Sequence, residues 1–203
     1  MTSSPDSSLD SFLDQPVRGF LGQLAARTPT PGGGGAAAVT GAMAAGLVAM
    51  AARFSASRLP GAGDLADQAD ELRRRAAALA DLDAQAYAAV LDALRLPREA
   101  GQRREALLGA AVVPLEIAEI GAEVAQLALQ VAEAGNPNLR GDAVTGALLA
   151  SASARSAASL VDINVDLGGL DRDLSRRAVQ AAADAGDAAE RTTMSAERAG
   201  QER

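Results

Sequence analysis

The sequence lacks cysteine, histidine and tryptophan, and aromatic side chains make up only 2 % of its 203 residues. Without cysteine there is no disulfide framework, no thiolate nucleophile and no thiolate metal site. Without histidine the commonest metal ligand and general base is missing, which excludes zinc hydrolases of the usual kind and Ser-His or Cys-His triads. The shortage of aromatic residues argues against β-sheets, whereas the many alanines favour helices. One all-α domain is therefore expected from a chain of this length.

Lysine is also absent, so the 19 basic residues are all arginine, and the 26 acidic residues leave a net charge of −7. This balance argues against a nucleic acid as the main partner and favours a small molecule or a protein. The first ten residues have neither a basic nor an apolar segment of a secretory signal, so we expect a cytoplasmic protein. We expect residues 1–9 to be flexible, residues 10–190 to form the domain, and residues 191–203 to be a frayed polar tail.

One uncharged stretch, residues 32–52, is long enough to span a bilayer. It consists mostly of alanine and glycine, with few bulky side chains and no flanking aromatic anchors. A helix that is apolar all round lies either in a protein core or in a membrane, and this composition favours the core. We therefore expect no membrane partner.

Apolar periodicity and Pro/Gly breaks predict five or six long helices in an antiparallel bundle. A first, short element is interrupted by Pro16 and ends near Arg27. The longer helices are predicted at residues 34–54, 64–94, 98–134, 140–165 and 171–189. Pro114 lies inside the helix predicted at residues 98–134, the fourth when the short first element is counted, and should bend it.

The third helix carries one acidic residue on its apolar stripe. Leucine and alanine recur there every seven residues, and Asp83 occupies a position of the companion series. A carboxylate on a buried stripe is costly unless it is paired or hydrogen-bonded. Asp83 is therefore either the partner of an arginine or part of a functional site.

The fourth helix has two apolar faces separated by a line of acidic and amide side chains. Two apolar faces place it either at the centre of the bundle or at a subunit interface, and a homodimer is expected on this ground. The polar line is either a solvated face or a row of ligands for a hard cation, and the first is the commoner case. Its members are Glu116, Glu119, Glu123, Gln126, Gln130 and Glu133.

Two turns expose groups that can serve a ligand or close the fold. The second helix is preceded by the turn Pro31, Gly32, Gly33 and Gly34. Either the free N–H groups at this helix start bind an anion or a carbonyl oxygen of a ligand, or the glycines serve only to permit close packing of helices. Asp142 begins the fifth helix, either as a cap or as a site residue.

Five ordered motifs lie between about residues 10 and 185. They are the Thr28 to Gly34 loop with its Ala/Gly helix, Asp81 to Tyr87 followed by Leu96-Pro97, Val113 to Ala118, Gly135 to Asn138 with Asp142, and Ile163 to Val165. Together these motifs resemble the cyclodeaminase/cyclohydrolase family, which includes the C-terminal domain of formiminotransferase-cyclodeaminase and stand-alone methenyltetrahydrofolate cyclohydrolases.

The resemblance implies a folate-dependent enzyme of that helical fold. It would hydrolyse 5,10-methenyltetrahydrofolate to formyltetrahydrofolate, or cyclise 5-formiminotetrahydrofolate with loss of ammonia. Asp83 and Asp142 are the candidates for acid-base catalysis, with a pKa that burial can raise. The proposed folate-binding residues are Pro31, Gly32, Gly33, Gly34, Asn136, Asn138 and Asn164, and neither reaction requires a metal or another cofactor.

Three positions depart from the family pattern. Gly35 and Gly141 stand where the family has serines, and Leu160 replaces the first asparagine of the late motif. Each change removes a hydrogen-bonding group, worth about 1 kcal/mol where a partner is left unpaired. The alternative is therefore a catalytically silent, dimeric binding or scaffold protein of the same fold.

Overall fold

The computed structural model describes residues 11–97 and 100–201, and within these residues it contains six α-helices and no strand. A 3₁₀ turn, Pro137–Leu139, joins the fourth and fifth helices. Consecutive long helices run antiparallel, because residues near the end of one contact residues near the start of the other, as Arg53 contacts Asp70 and Asn164 contacts Ala110. This arrangement confirms the predicted all-α bundle. The prediction for residues 1–9 lies outside the described residues. The helices are α1 Val17–Leu24, α2 Gly33–Arg53, α3 Ala62–Ala93, α4 Gly101–Ala134, α5 Arg140–Gly168 and α6 Arg172–Gln201.

The predicted bounds of α2 to α5 agree with the structure to within three residues. The predicted end of α6 near Ala189 is wrong, because the helix continues to Gln201. Thr192 lies beyond the predicted end, is completely buried, and donates its hydroxyl hydrogen bond to the Ala188 carbonyl oxygen at 2.7 Å. The polar residues of this segment occupy the solvent side of a helix whose other side still packs on the bundle.

The apolar stripe predicted for α3 is confirmed. Its buried members are Ala69, Leu72, Ala76, Leu79, Val90 and Ala93. Asp83 occupies the same stripe and is half-buried. The heptad spacing thus carries an acidic side chain to the inner side of the helix, where its surroundings decide its role.

Helix α4 is central, with α2, α3, α5 and α6 packed around it. Apart from Leu108 near its start, which is 43 % exposed, both of its apolar faces are largely covered within one chain, and the covered parts give no reason of their own for a dimer. Three members of the polar line form ion pairs with arginines of α3 and α6, which supports a solvated face. These pairs are Glu116 with Arg75 at 3.2 Å, Glu119 with Arg177 at 2.7 Å and Glu133 with Arg191 at 3.9 Å.

Two helical segments, Gly33–Arg53 and Pro137–Gly168, are long and apolar enough to cross a bilayer. Of the most apolar window in each, 56 % and 44 % of the residues are buried inside the protein. Helices in the core of a bundle meet the same length and composition criterion. Close packing explains their composition: a Cβ on Gly41 of α2 would lie 3.0 Å from Ser153 Oγ of α5.

Candidate active site

The N-terminal end of α2 is capped by a side chain from another helix. Gly32 is the N-cap residue, and no side chain of its own loop accepts a hydrogen bond there. Instead the Gly35 backbone N–H donates to Oδ2 of Asp83 on α3 at 3.0 Å. The carboxylate thus satisfies one of the free N–H groups at the positive end of the helix dipole.

Gly34 makes this approach possible. A Cβ on Gly34 would lie 2.0 Å from Asp83 Oδ1 and 2.3 Å from Asp83 Cγ, far inside van der Waals contact. Only glycine leaves room for the carboxylate at this point of the turn. Of the two roles left open for Asp83, the arginine pair is not observed among the described residues, and the partner is the glycine turn itself.

Burial raises the pKa of Asp83, and the hydrogen bond from Gly35 only partly opposes this effect. Desolvation disfavours the charged carboxylate, whereas an N–H donor favours it. A carboxyl group with a raised pKa is a better proton acceptor than an ordinary aspartate. Asp83 is therefore suited to take a proton from a bound water.

Asp83 opens into a cleft of about 410 Å³ between α2, α3, α4 and α5. One end is formed by the glycine turn and Asp83, together with Asn164 of α5. The rest of the wall is mainly apolar. Its larger side chains are Tyr87, Val90, Leu91, Leu94, Leu160, Ile163 and Leu167. A flat, partly polar ligand fits such a site, with polar groups at one end and apolar side chains along its length.

Asn164 is oriented by two backbone carbonyl groups. Its Nδ2 donates to the Ala110 carbonyl at 2.9 Å and to the Leu160 carbonyl at 3.0 Å. Because both partners are acceptors, the NH₂ group faces them, and Oδ1 is the atom available to a ligand. Asn164 can thus accept a hydrogen bond from an N–H group in the cleft.

The region also contains Pro31, which is buried behind the turn, and Tyr87, which lines the cleft. A Cβ on Gly35 would lie 3.5 Å from Pro31 Cβ, so Pro31 shapes the turn. Tyr87 follows Asp83 by one helical turn and is 44 % exposed. Tyr87 ends the second sequence motif but is not among the predicted site residues. Its spacing of four residues from Asp83 was the available signal.

Asn136, Asn138 and Asp142 lie at the other end of α2. Asn136 donates from its backbone N–H to Ser55 Oγ at 2.8 Å and from Nδ2 to the Phe54 carbonyl at 3.2 Å. Its Oδ1 accepts a hydrogen bond from the Asn138 N–H at 3.0 Å. Since α2 is 21 residues long, this end lies roughly 30 Å from the glycine turn. Within one chain, the structure therefore brings together one group of predicted site residues: Gly32, Gly33, Gly34, Asp83 and Asn164. Asn136, Asn138 and Asp142 lie far from this group.

Several known proteins are similar to this chain over most of its length. A family model described as formiminotransferase-cyclodeaminase matches residues 16–184. A methenyltetrahydrofolate cyclohydrolase of Methylorubrum extorquens is 37 % identical over 165 residues, which cover 74 % of this chain and 79 % of that protein. The formimidoyltransferase-cyclodeaminase of Mus musculus is 32 % identical over 152 residues, which cover 65 % of this chain and 27 % of that protein. A solved structure of formiminotetrahydrofolate cyclodeaminase from Thermotoga maritima superposes with a TM-score of 0.83 at 26 % identity and covers 90 % of this chain and 96 % of that one.

Proposed function

Because the chain belongs to the formiminotransferase-cyclodeaminase family, we propose that this folate one-carbon enzyme hydrolyses 5,10-methenyltetrahydrofolate to 10-formyltetrahydrofolate at the Asp83 cleft. The observation that carries the proposal is the half-buried carboxylate of Asp83, which is held at the glycine turn and has a raised pKa. The cyclohydrolase relative supports hydrolysis as the first reaction to assay.

The reaction requires a base and little else. The methenyl carbon bridges N5 and N10 as part of a cationic amidinium group and is already electrophilic. Asp83 accepts a proton from a water whose oxygen bonds to this carbon, which forms a neutral carbinolamine. The carbon–N5 bond then breaks, the hydroxyl proton passes to N5, and the formyl group remains on N10. One proton is released overall, and the negative charge of Asp83 stabilises the bound cation. We therefore propose that no metal or redox cofactor takes part.

The remaining cleft groups suit the rest of the substrate. Oδ1 of Asn164 can accept a hydrogen bond from the pterin ring, and the exposed N–H groups of the glycine turn can donate to its carbonyl. The leucine and isoleucine side chains further along offer an apolar surface to the benzoyl ring. Asp83 thus lies at the end of the cleft where the one-carbon unit is expected.

A matched pair of variants tests the assignment. Asp83→Asn should lower the rate of loss of the methenyl absorbance by about 10²-fold to 10⁴-fold, because the amide cannot accept the proton. Asp81→Asn is the control, since Asp81 lies two residues earlier on α3 and accepts the Phe12 N–H at 2.9 Å. The control should retain the wild-type rate. A wild-type rate equal to that of buffer, with folate binding intact, would instead support the binding or scaffold alternative.

The cyclodeaminase reaction is the second candidate, because the superposed Thermotoga maritima structure bears that name. In that reaction N10 bonds to the formimino carbon and ammonia leaves from it. Ammonia release from 5-formiminotetrahydrofolate, measured on the same preparations, distinguishes the two activities. Hydrolysis without ammonia release assigns the chain to the cyclohydrolases.

We also propose a homodimer formed through the outward face of α2 and α5. Helix α2 has no charged side chain before Arg53, yet Met43 on its outer face is 53 % exposed, and Leu148 of α5 is 52 % exposed. A charge-free exposed face of this kind is typical of an interface. A two-fold axis through the middle of α2 would set Asp83 of one protomer near the partner's Asp142.

Light scattering tests the dimer. Met43→Glu should give monomers, whereas Val179→Glu, which changes a 59 % exposed valine of α6, should leave the dimer intact. If the two protomers share a site, Asp142→Asn should slow hydrolysis in the dimer. A monomeric wild-type protein would contradict the proposal.

A further inference from the structure

A second pocket adjoins the apolar end of the Asp83 cleft at Leu167. This pocket has a volume of about 320 Å³ and lies between the start of α4 and the end of α5. Leu167 lines both spaces, so they share a wall. The second pocket is lined by Arg103, Arg104, Leu107, Asp166, Leu167, Gly168 and Gly169.

The two arginines of this pocket have different surroundings. Arg104 donates from Nη1 to the Gly169 carbonyl at 3.1 Å and thereby holds the turn between α5 and α6. Arg103 is half-buried, and no carboxylate within residues 11–97 or 100–201 forms an ion pair with it. A guanidinium group presents a planar set of donors that suits a carboxylate or another anion.

The pocket is locally positive in a protein of net charge −7. Among the described residues that line the pocket, Asp166 is the only acidic one, and its pairing with Arg172 at 2.5 Å neutralises its charge. Arg103 also lies in the first turn of α4, where the helix dipole is positive. The charges of Arg103 and Arg104 therefore favour an anion.

The helix rise gives the approximate lengths of the two adjoining spaces. From Asp83 to Leu94, the cleft follows α3 for eleven residues, or about 16 Å. From Ala110, where Asn164 is held, to Arg103 the separation along α4 is about 10 Å. Between the polar end and Arg103 the wall includes Leu94 and Leu167. Polar, apolar and positive surfaces thus follow one another in the order of a pterin, a benzoyl ring and a carboxylate.

We propose that Arg103 binds a carboxylate of the glutamyl tail of the folate substrate and so sets the preference for glutamylated folates. The proposal rests on the folate reaction proposed above for the adjoining cleft. A guanidinium group can form two parallel hydrogen bonds with a carboxylate. Arg103 is far from the reacting carbon, so its contribution is to binding of substrate and transition state alike.

Two substrates that differ only in the tail test this role. With 5,10-methenyltetrahydrofolate, Arg103→Ala should raise KM about tenfold to a hundredfold at unchanged kcat, since a hydrogen bond to a charged group contributes about 1.5–3 kcal/mol. With the tetrahydropteroate analogue, which lacks glutamate, Arg103→Ala and wild type should be equal. Arg103→Gln provides a second variant of similar size. Arg74→Ala, which removes an arginine paired with Glu71 on α3, controls for the loss of one positive charge.

Equilibrium binding separates this proposal from the proposed reaction. Isothermal titration with 5-formyltetrahydrofolate and with its pteroate analogue should show tighter binding of the glutamylated compound to wild type, and this advantage should be lost in Arg103→Ala. That result supports the proposal even if wild type does not hydrolyse the methenyl compound. Equal affinities of wild type for the two compounds, or no folate binding, would overturn it. Inorganic phosphate binding that depends on Arg103, together with equal folate affinities, would assign the pocket to free anions and also refute the proposal.

Discussion

Replacement of Gly34 by alanine should destabilise the protein and abolish hydrolysis. In a helix, alanine is favoured over glycine by up to about 1 kcal/mol, so helix propensity alone predicts a more stable variant. The structure predicts the opposite, because the new Cβ would lie 2.0 Å from Asp83 Oδ1 and 2.3 Å from Asp83 Cγ. The carboxylate has to move away and lose the hydrogen bond from Gly35.

The magnitude follows from the lost contact. A hydrogen bond to a charged group contributes about 1.5–3 kcal/mol, and the helix propensity of alanine offsets up to about 1 kcal/mol of this. Gly34→Ala should therefore lower the free energy of unfolding by about 0.5–3 kcal/mol. Gly35→Ala is the matched control at the next position. Its Cβ would lie 3.5 Å from Pro31 Cβ and 3.7 Å from the Ala80 carbonyl oxygen, which are ordinary contacts.

Urea unfolding of four proteins measures the effect: wild type, Gly34→Ala, Asp83→Ala and the double variant. In the Asp83→Ala background there is no carboxylate to displace, so Gly34→Ala should cost nothing or stabilise slightly. The coupling free energy between the two positions should then be about 1–3 kcal/mol. Purely additive effects, or a Gly34→Ala variant as active and as stable as Gly35→Ala, would refute the steric reasoning.

Four further predictions concern the pH dependence of activity, the pH dependence of stability, the far end of α2 and the metal requirement. Because burial raises the pKa of Asp83, the acid limb of kcat/KM should lie above the pH at which an ordinary aspartate titrates, and Asp83→Asn should lose this limb in a pH-rate profile. Because the pKa of Asp83 is raised in the folded state, protonation of Asp83 stabilises the fold. This stabilisation is fully present below the unfolded-state pKa of 3.8 and is lost as pH rises through the folded-state pKa. The stability of wild type relative to Asp83→Asn should therefore improve on acidification. Ser55→Ala should lower the free energy of unfolding in urea titrations by about 1–3 kcal/mol. The reason is that the fully buried Ser55 hydroxyl accepts a hydrogen bond from the Asn136 N–H and donates one to the Ala51 carbonyl. An unchanged urea midpoint would contradict this prediction. Dialysis against EDTA should leave the hydrolysis rate unchanged, and a loss restored by a divalent cation would show that the positioned carboxylate is insufficient.

Much of the fold was predictable from composition and spacing. Few aromatic residues, abundant alanine and breaks at Pro/Gly pairs lead to a bundle of long helices, and the heptad stripe of α3 places its apolar side chains correctly. The end of α6 was not predictable in this way. The tail after Ala189 is polar in composition, and only the packing of one face, shown by Thr192, keeps it helical.

The candidate site was predictable only in part. An acidic residue on an apolar stripe identifies Asp83 without any structure, since charge at such a position requires a compensating partner. The identity of that partner, a backbone N–H of a glycine turn 48 residues earlier in the chain, depends on how α2 and α3 pack. Arg103 was not selected because an arginine near the start of a helix has no unusual local spacing.

The local sequence determined where helices form and which of their faces are apolar, because helix propensity and the 3.6-residue period act over neighbouring residues. The grouping of the site residues was determined by the packing of the helices. Antiparallel packing places Asp83, Asn164 and the glycine turn at one end of α2, and it places Asn136, Asn138 and Asp142 at the other end. Their separation follows from the length of a rigid helix, which no motif spacing along the chain encodes.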